Sequence, residues 1–182
     1  MSSEPTIRLA RREDVPEILA MIKELAAFEK AEDSVQATEE SLAETLCFDT
    51  SSDGVFPTKA TGYAKTFILT APEGEVAGMA LWFHNYSTWT SKPGIYLEDL
   101  FVRPKFRRRG YATLLLRELA KEVTRINGGR LEWWCLKWNQ RALNFYEGIG
   151  AKQMDEWIPL RVDGENLPKL AAMEVKVKAG SL

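Results

Sequence analysis

From Asp14 to Glu29 apolar residues recur at helical spacing. Val15, Ile18, Leu19, Ile22, Leu25 and Ala26 fall on one face, which predicts an amphipathic helix. Pro16 costs little there, because the first turn does not use its missing N–H. Thr6 to Leu9 reads as a short strand ahead of it, and Thr38 is placed to cap a second helix running through Leu46. Asp49 to Gly62, rich in Ser, Asp, Thr and Gly, reads as a loop. Ala64 to Thr70 and Val76 to Tyr86 are strand-like runs joined by Ala71, Pro72, Glu73 and Gly74, which predicts an antiparallel hairpin. A loop with Trp89 and Pro93 leads into a strand from Ile95 to Val102.

The strongest amphipathic pattern runs from Gly110 to about Ile126. It turns Leu114, Leu115, Leu119, Val123 and Ile126 inward, and the pair Gly128 and Gly129 stops it. Arg130 to Lys137 reads as a strand, Asn139 to Ile149 as a helix that Asn139 caps, and Trp157 to Val162 as a last strand. The segment around Leu167 to Ala171 is ambiguous, and a polar tail follows. Trp133 and Trp134 adjoin in a strand, so they point to opposite faces and at least one is expected in the core. No repeat or linker divides the chain, and residues 1–182 are expected to form a single domain.

Composition narrows the classes. With 45% hydrophobic residues in 182, the chain can bury a full core. Twenty-four basic against 26 acidic residues leave no positive excess to neutralise phosphates, which argues against nucleic acid as partner. Two cysteines and one histidine, without CxxC or HxxxH spacing, make an incomplete metal site, so no metal is expected. Cys47 and Cys135 sit among apolar neighbours and read as buried free thiols, and His84 reads as a packed or edge residue. No apolar run approaches a membrane span, and residues 1–5 lack the regions of a signal peptide, so a cytoplasmic protein is expected.

The chemistry is concentrated in Tyr96-Leu97-Glu98-Asp99-Leu100-Phe101-Val102, then Arg103 and Pro104, then Arg107-Arg108-Arg109-Gly110-Tyr111-Ala112. A strand ends, a basic loop with a glycine follows, and a helix begins. Free N–H groups and the positive end of the dipole at such a helix start suit a pyrophosphate, and Gly110 permits close approach. A solvated basic loop before an ordinary helix has the same spacing. The dinucleotide-binding pattern and the P-loop are both absent.

Arg107-x-x-Gly110-x-Ala112 between a strand and a long helix resembles the acetyl-CoA-binding signature of the GNAT superfamily of N-acetyltransferases. Tyr96 to Val102, Trp138-Asn139-Gln140-Arg141-Ala142 with Asn144-Phe145-Tyr146, and Ile22-Lys23-Glu24-Leu25-Ala26 through Glu29 look like the diamine (spermidine/spermine) acetyltransferase family, in its order, from about Ile7 to Ala171. The resemblance implies an α/β GNAT fold, a mixed central sheet flanked by helices, and acetyl-CoA as co-substrate. It implies that backbone groups around Leu100, Phe101 and Val102 pair with the pantetheine arm. Arg107, Arg108, Arg109, Gly110, Tyr111, Ala112 and Thr113 would hold the pyrophosphate. Asn139, Arg141 and Ala142 would form a second cofactor element, Glu98 would be the general base through water, and Tyr146 would protonate the departing thiolate. Glu29 and Glu98 would meet the cationic acceptor. A homodimer is implied as well.

The residues ask for the same groups. An alkylamine is protonated at neutral pH, so a carboxylate must take a proton before the amine attacks a thioester. Glu98 and Asp99 alternate faces on a regular strand, so one of them is expected to face the site, and Glu98 is the expected one. Polyamine-acetylating relatives tend to carry an acidic residue before the Trp-Asn pair, where this chain has Lys137, and the run looks more like the thialysine-acetylating branch. The expected activity is acetyl transfer to a primary amine of a small cationic acceptor, lysine-like or thialysine-like. Polyamine acetylation, protein acetylation and a non-catalytic acyl-CoA-binding module are the alternatives.

Overall fold

In the computed structural model, which describes residues 4–49 and 62–175, the chain divides into two compact units, Met1–Trp134 and Cys135–Leu182. The first holds a six-stranded mixed sheet: β1 (Thr6–Leu9), β2 (Leu46–Cys47), β3 (Ala64–Thr70), β4 (Val76–Ser87), β5 (Lys92–Val102) and β6 (Leu131–Glu132). The order is β1-β3-β4-β5-β6, with β2 beside β3. The β2–β3 and β5–β6 pairs are parallel and the others antiparallel. The hairpin joining β3 and β4 is the one the turn residues predict. Residues 50–61 of the expected Asp49–Gly62 loop lie outside the described residues.

Helix α1 (Val15–Glu29) and helix α2 (Glu39–Thr45) pack on one face of the sheet. Val15, Ile18, Leu19 and Met21 meet Ile68, Met79, Leu81 and Phe101 there. Thr38 caps α2 as expected, its hydroxyl accepting from the Ser41 N–H at 3.1 Å. Burial alone would push the Asp14 carboxyl up, but the Arg8 guanidinium at 2.6 and 2.7 Å and the Arg11 N–H at 2.7 Å hold it below its ordinary range.

Helix α3 (Tyr111–Arg125) buries Tyr111, Leu115, Leu116, Leu119 and Glu122. The expected inward residues Leu114, Val123 and Ile126 are only half-buried. Buried Glu122 is held by Arg125 one turn on, at 2.6 and 2.7 Å. The turn that ends the helix is made by Asn127, at φ 52°, rather than by the glycine pair. Gly128 then donates to the Val123 carbonyl at 2.8 Å, where an added Cβ would stand 3.0 Å from the Pro93 and Val123 oxygens.

Three of the expected strands differ. β5 begins at Lys92 rather than Ile95, because Lys92, Pro93 and Gly94 extend the ladder against Ser87, Tyr86 and Asn85. The expected strand Arg130–Lys137 contracts to β6, so Trp133 and Trp134 lie beyond it, one half-buried and the other exposed. The Trp157–Val162 strand does not form. Among its described residues the second unit contains only helices α4 (Gln140–Gly148) and α5 (Asn166–Ala171), and offers no strand to satisfy that backbone. The ambiguous segment is α5. Both cysteines are free thiols; Cys47 is buried, as expected, and Cys135 is only half-buried.

Candidate active site

Between Tyr96 and Asp99 the alternation of β5 breaks. Tyr96 stands opposite Phe83 and Leu97 opposite Trp82, yet Asp99 stands opposite Leu81. Two steps on β5 therefore answer one on β4, and Glu98 is the extra residue of a β-bulge. The bulge leaves Glu98 exposed, buries Leu97, and returns half-buried Asp99 to the α1 face of the sheet. Regular alternation, on which the choice between Glu98 and Asp99 rests, does not hold here.

Asp99 is the most perturbed carboxyl described. Burial pushes it up to about 6, and the charges of Glu98 and Glu29 push the same way. Burial also raises Glu29, the last residue of α1. Three carboxyls thus gather where the end of α1 meets the bulge, with one of them poised to exchange a proton near neutrality.

Next to this acidic group β5 has a free edge. β6 pairs with Ile95 and Tyr96 and then ends, so Leu97 to Val102 have β4 on one side and no strand among the described residues on the other. An extended polar chain can add to such an edge through the backbone groups around Leu100, Phe101 and Val102.

The edge leads to the start of α3. Pro104–Phe106 forms a single turn of 3-10 helix, and Arg108 and Gly110 then take positive φ, 62° and 80°. From Arg108 to Thr113 the backbone N–H groups meet no backbone acceptor among the described residues; the first helical bond is Leu114 N–H to the Gly110 carbonyl at 3.0 Å. A row of unsatisfied donors at the positive end of a 15-residue helix fits a pyrophosphate.

The arginines divide their work. Arg107 donates from Nε to the Val102 carbonyl at 2.9 Å, with its guanidinium 5.5 Å from the Phe28 ring and 5.8 Å from the Phe101 ring, so it fixes the loop against β5 and the end of α1. Arg109 pairs with Glu73 on the β3–β4 turn at 2.6 Å. Arg103 reaches Glu17 at 2.8 Å, Glu24 at 3.0 Å and the Val76 carbonyl at 3.0 Å. Arg108 makes no ion pair among the described residues, which leaves its charge for a ligand.

The remaining expected residues lie in the second unit. Asn139 caps α4, its Oδ1 accepting from the Ala142 N–H at 3.2 Å. Arg141 is exposed on the first turn of that helix. Tyr146, half-buried, stacks at a tilt on Phe145 with ring centroids 5.3 Å apart. No group of His, Cys, Asp and Glu able to hold a metal occurs among the described residues.

The chain matches the Acetyltransferase (GNAT) family over residues 26–151. It is 33% identical to L-ornithine N5-acetyltransferase NATA1 of Arabidopsis thaliana, over 93% of this chain and 89% of that protein. It is 34% identical to thialysine N-epsilon-acetyltransferase of Mus musculus, over 91% and 96%. An integron cassette protein from the mobile metagenome of V. cholerae shares the fold at TM-score 0.72 and 24% identity, over 94% of this chain and all of that one. The chain belongs to the GNAT acetyltransferase family, and its six-stranded mixed sheet with flanking helices is the GNAT fold. It is an enzyme that transfers acetyl groups to amines.

Proposed function

We propose that the protein moves the acetyl group of acetyl-CoA onto a primary amine of a small cationic acceptor, with lysine-like, ornithine-like or thialysine-like amino acids ahead of spermidine. The observation that carries this reading is the acidic group Glu29, Glu98 and Asp99, set beside a free strand edge that runs to the unsatisfied N–H groups of α3. The edge and the helix start fit acetyl-CoA, which when bound supplies an acyl carbon activated as a thioester.

In this reading the backbone of Leu100 and Val102 holds the pantetheine arm. The loop from Arg107 to Thr113 holds the pyrophosphate, and Asn139, Arg141 and Ala142 add contacts from α4. Glu29 attracts the acceptor's ammonium. The Glu98–Asp99 pair takes up its proton: Glu98 stands where water reaches it, and Asp99 stands beside it with a raised proton affinity. Tyr146 protonates the departing thiolate. The whole chain acts as one acetyltransferase domain, as a cytoplasmic homodimer and without a metal.

The preference for an amino acid rests on Lys137 and Arg141, either of which can pair with a carboxylate that a polyamine lacks. It also rests on the acceptors in the names of the two relatives. Release of CoA with thialysine, ornithine, their decarboxylated diamines and spermidine tests it. The amino acids should exceed the diamines in kcat/KM, and Lys137→Glu should narrow the gap. Spermidine ahead by tenfold or more would return the chain to the polyamine branch, and no release with any amine would remove the activity.

A further inference from the structure

The connection from β5 to α3 grips α1 on both sides of the Pro104–Phe106 turn. Arg103, just before the turn, pairs with Glu17 at 2.8 Å and Glu24 at 3.0 Å. Arg107, just after it, holds its guanidinium 5.5 Å from the centre of the Phe28 ring while its Nε donates to the Val102 carbonyl at 2.9 Å. Glu17, Glu24 and Phe28 recur at helical spacing, so one stripe of α1 faces this connection. Phe28 is the last of the three and the neighbour of Glu29, which ends the helix. It is 42% exposed and stands outside the core. Burial of apolar surface therefore does not account for an aromatic residue here.

The last turn of α1 needs a restraint from outside the helix. Glu29 is an acid at the negative end of the helix dipole, and the turn holds no basic residue to offset it. The chain leaves the helix through Lys30 in the left-handed region, at φ 59°, a conformation that costs a non-glycine residue free energy. The Arg107 guanidinium answers both needs, since it attracts the face of the Phe28 ring and brings positive charge to the end of α1.

We propose that Phe28 is a positioning residue: through Arg107 it ties Glu29 to the loop that receives the pyrophosphate, so that CoA and the amine each strengthen the binding of the other. The inference rests on the acetyltransferase reading above, in which the loop holds the cofactor and Glu29 attracts the ammonium. An anion on the N–H groups from Arg108 to Thr113 fixes the loop, and with it the Arg107 guanidinium. Phe28 then holds the last turn of α1, which keeps Glu29 where its charge acts on Asp99. An amine bound by Glu29 favours the same arrangement, and therefore favours the cofactor by the same factor. Phe28 itself touches neither substrate.

The experiment measures calorimetric binding and initial rates of CoA release for wild type, Phe28→Leu and Phe28→Tyr. The amine is thialysine, ornithine or spermidine, whichever is acetylated fastest. In the wild type, saturating CoA should tighten amine binding about fivefold or more, and saturating amine should tighten CoA binding by the same factor. Phe28→Leu should bring both factors below about twofold and raise KM for the amine about fivefold, with kcat and CoA binding to the free enzyme within about twofold of wild type. Phe28→Tyr keeps the ring and should keep the coupling. A merely structural role would move the melting temperature of Phe28→Leu and leave the coupling in place. Wild-type coupling under about twofold, wild-type coupling in Phe28→Leu, or equal loss in Phe28→Tyr overturns the proposal. Any of these with the amine acetylated overturns this inference alone, whereas no acetylation of any amine overturns the reading beneath it.

Discussion

Tyr96 and Asp99 lie on the same face of β5 although three positions separate them, because Glu98 is an extra residue on β5 while their register partners Phe83 and Leu81 stand only two positions apart on β4. An unbroken strand would turn the two to opposite sides. The bulge thus brings a carboxyl of raised proton affinity beside an aromatic pair, and sets Glu98 outward next to both.

Asp99→Asn should lose the acidic limb of log kcat/KM near pH 6 together with most of the activity. Glu98→Gln should slow the reaction while leaving a limb, displaced downward by removal of a neighbouring negative charge. Initial rates from about pH 5 to 9 measure both. An unshifted limb in Asp99→Asn would take that carboxyl out of the proton transfer, and wild-type rates in Glu98→Gln would take out Glu98.

The same carboxyl affects stability with a definite sign. Its proton is released at about 6 in the folded protein and near 3.9 in the unfolded chain. Between those values the folded state binds more protons, so this group's contribution to stability falls as pH rises and is fully lost above about 6. Asp99→Asn should therefore be more stable than wild type near neutral pH, by at most about 3 kcal/mol, with the gain vanishing below about pH 4. Urea unfolding at the two pH values checks it, and an equal gain at both would contradict it.

Acetyl-CoA at about a hundred times its dissociation constant should stabilise the wild type by roughly 2.7 kcal/mol. Gly110→Val should abolish the gain. The position has φ 80°, which a β-branched residue adopts only under strain, and open space around it means that backbone conformation rather than a clash is responsible. Thermal melts with and without acetyl-CoA decide it. Full stabilisation of the variant would move the pyrophosphate site elsewhere.

Tyr146→Phe should lower kcat by about a hundredfold or more and leave acetyl-CoA affinity within about twofold, since the hydroxyl matters only as the thiolate leaves. Single-turnover rates and calorimetry separate the two quantities. Wild-type chemistry in the variant would leave Tyr146 as the packing partner of Phe145.

Arg103→Gln should destabilise the fold by about 2 kcal/mol, because the guanidinium, largely buried, joins Glu17 and Glu24 of α1 to the Val76 carbonyl and the end of β5. The urea midpoint should fall at unchanged slope. An unmoved midpoint would reduce these contacts to surface pairs.

Contacts within a few residues decide α1, the Thr38 cap, the β3–β4 hairpin, α3 and the Asn139 cap, and each is legible from periodicity and cap chemistry alone. Gly110 at the start of α3 is legible as a place for close approach, whereas its left-handed conformation is seen only in the folded chain. The bulge at Glu98 has no local mark, for no glycine signals it; it is visible only in the pairing with β4, where Leu97 meets Trp82 while Asp99 meets Leu81. The length of β6 and the absence of a strand at Trp157–Val162 likewise depend on whether a neighbouring strand can satisfy the backbone, which an apolar run does not specify. Pairings such as Arg103 with Glu17 and Glu24, or Arg107 with Phe28, join residues some 80 positions apart, and only the folded chain brings them within reach.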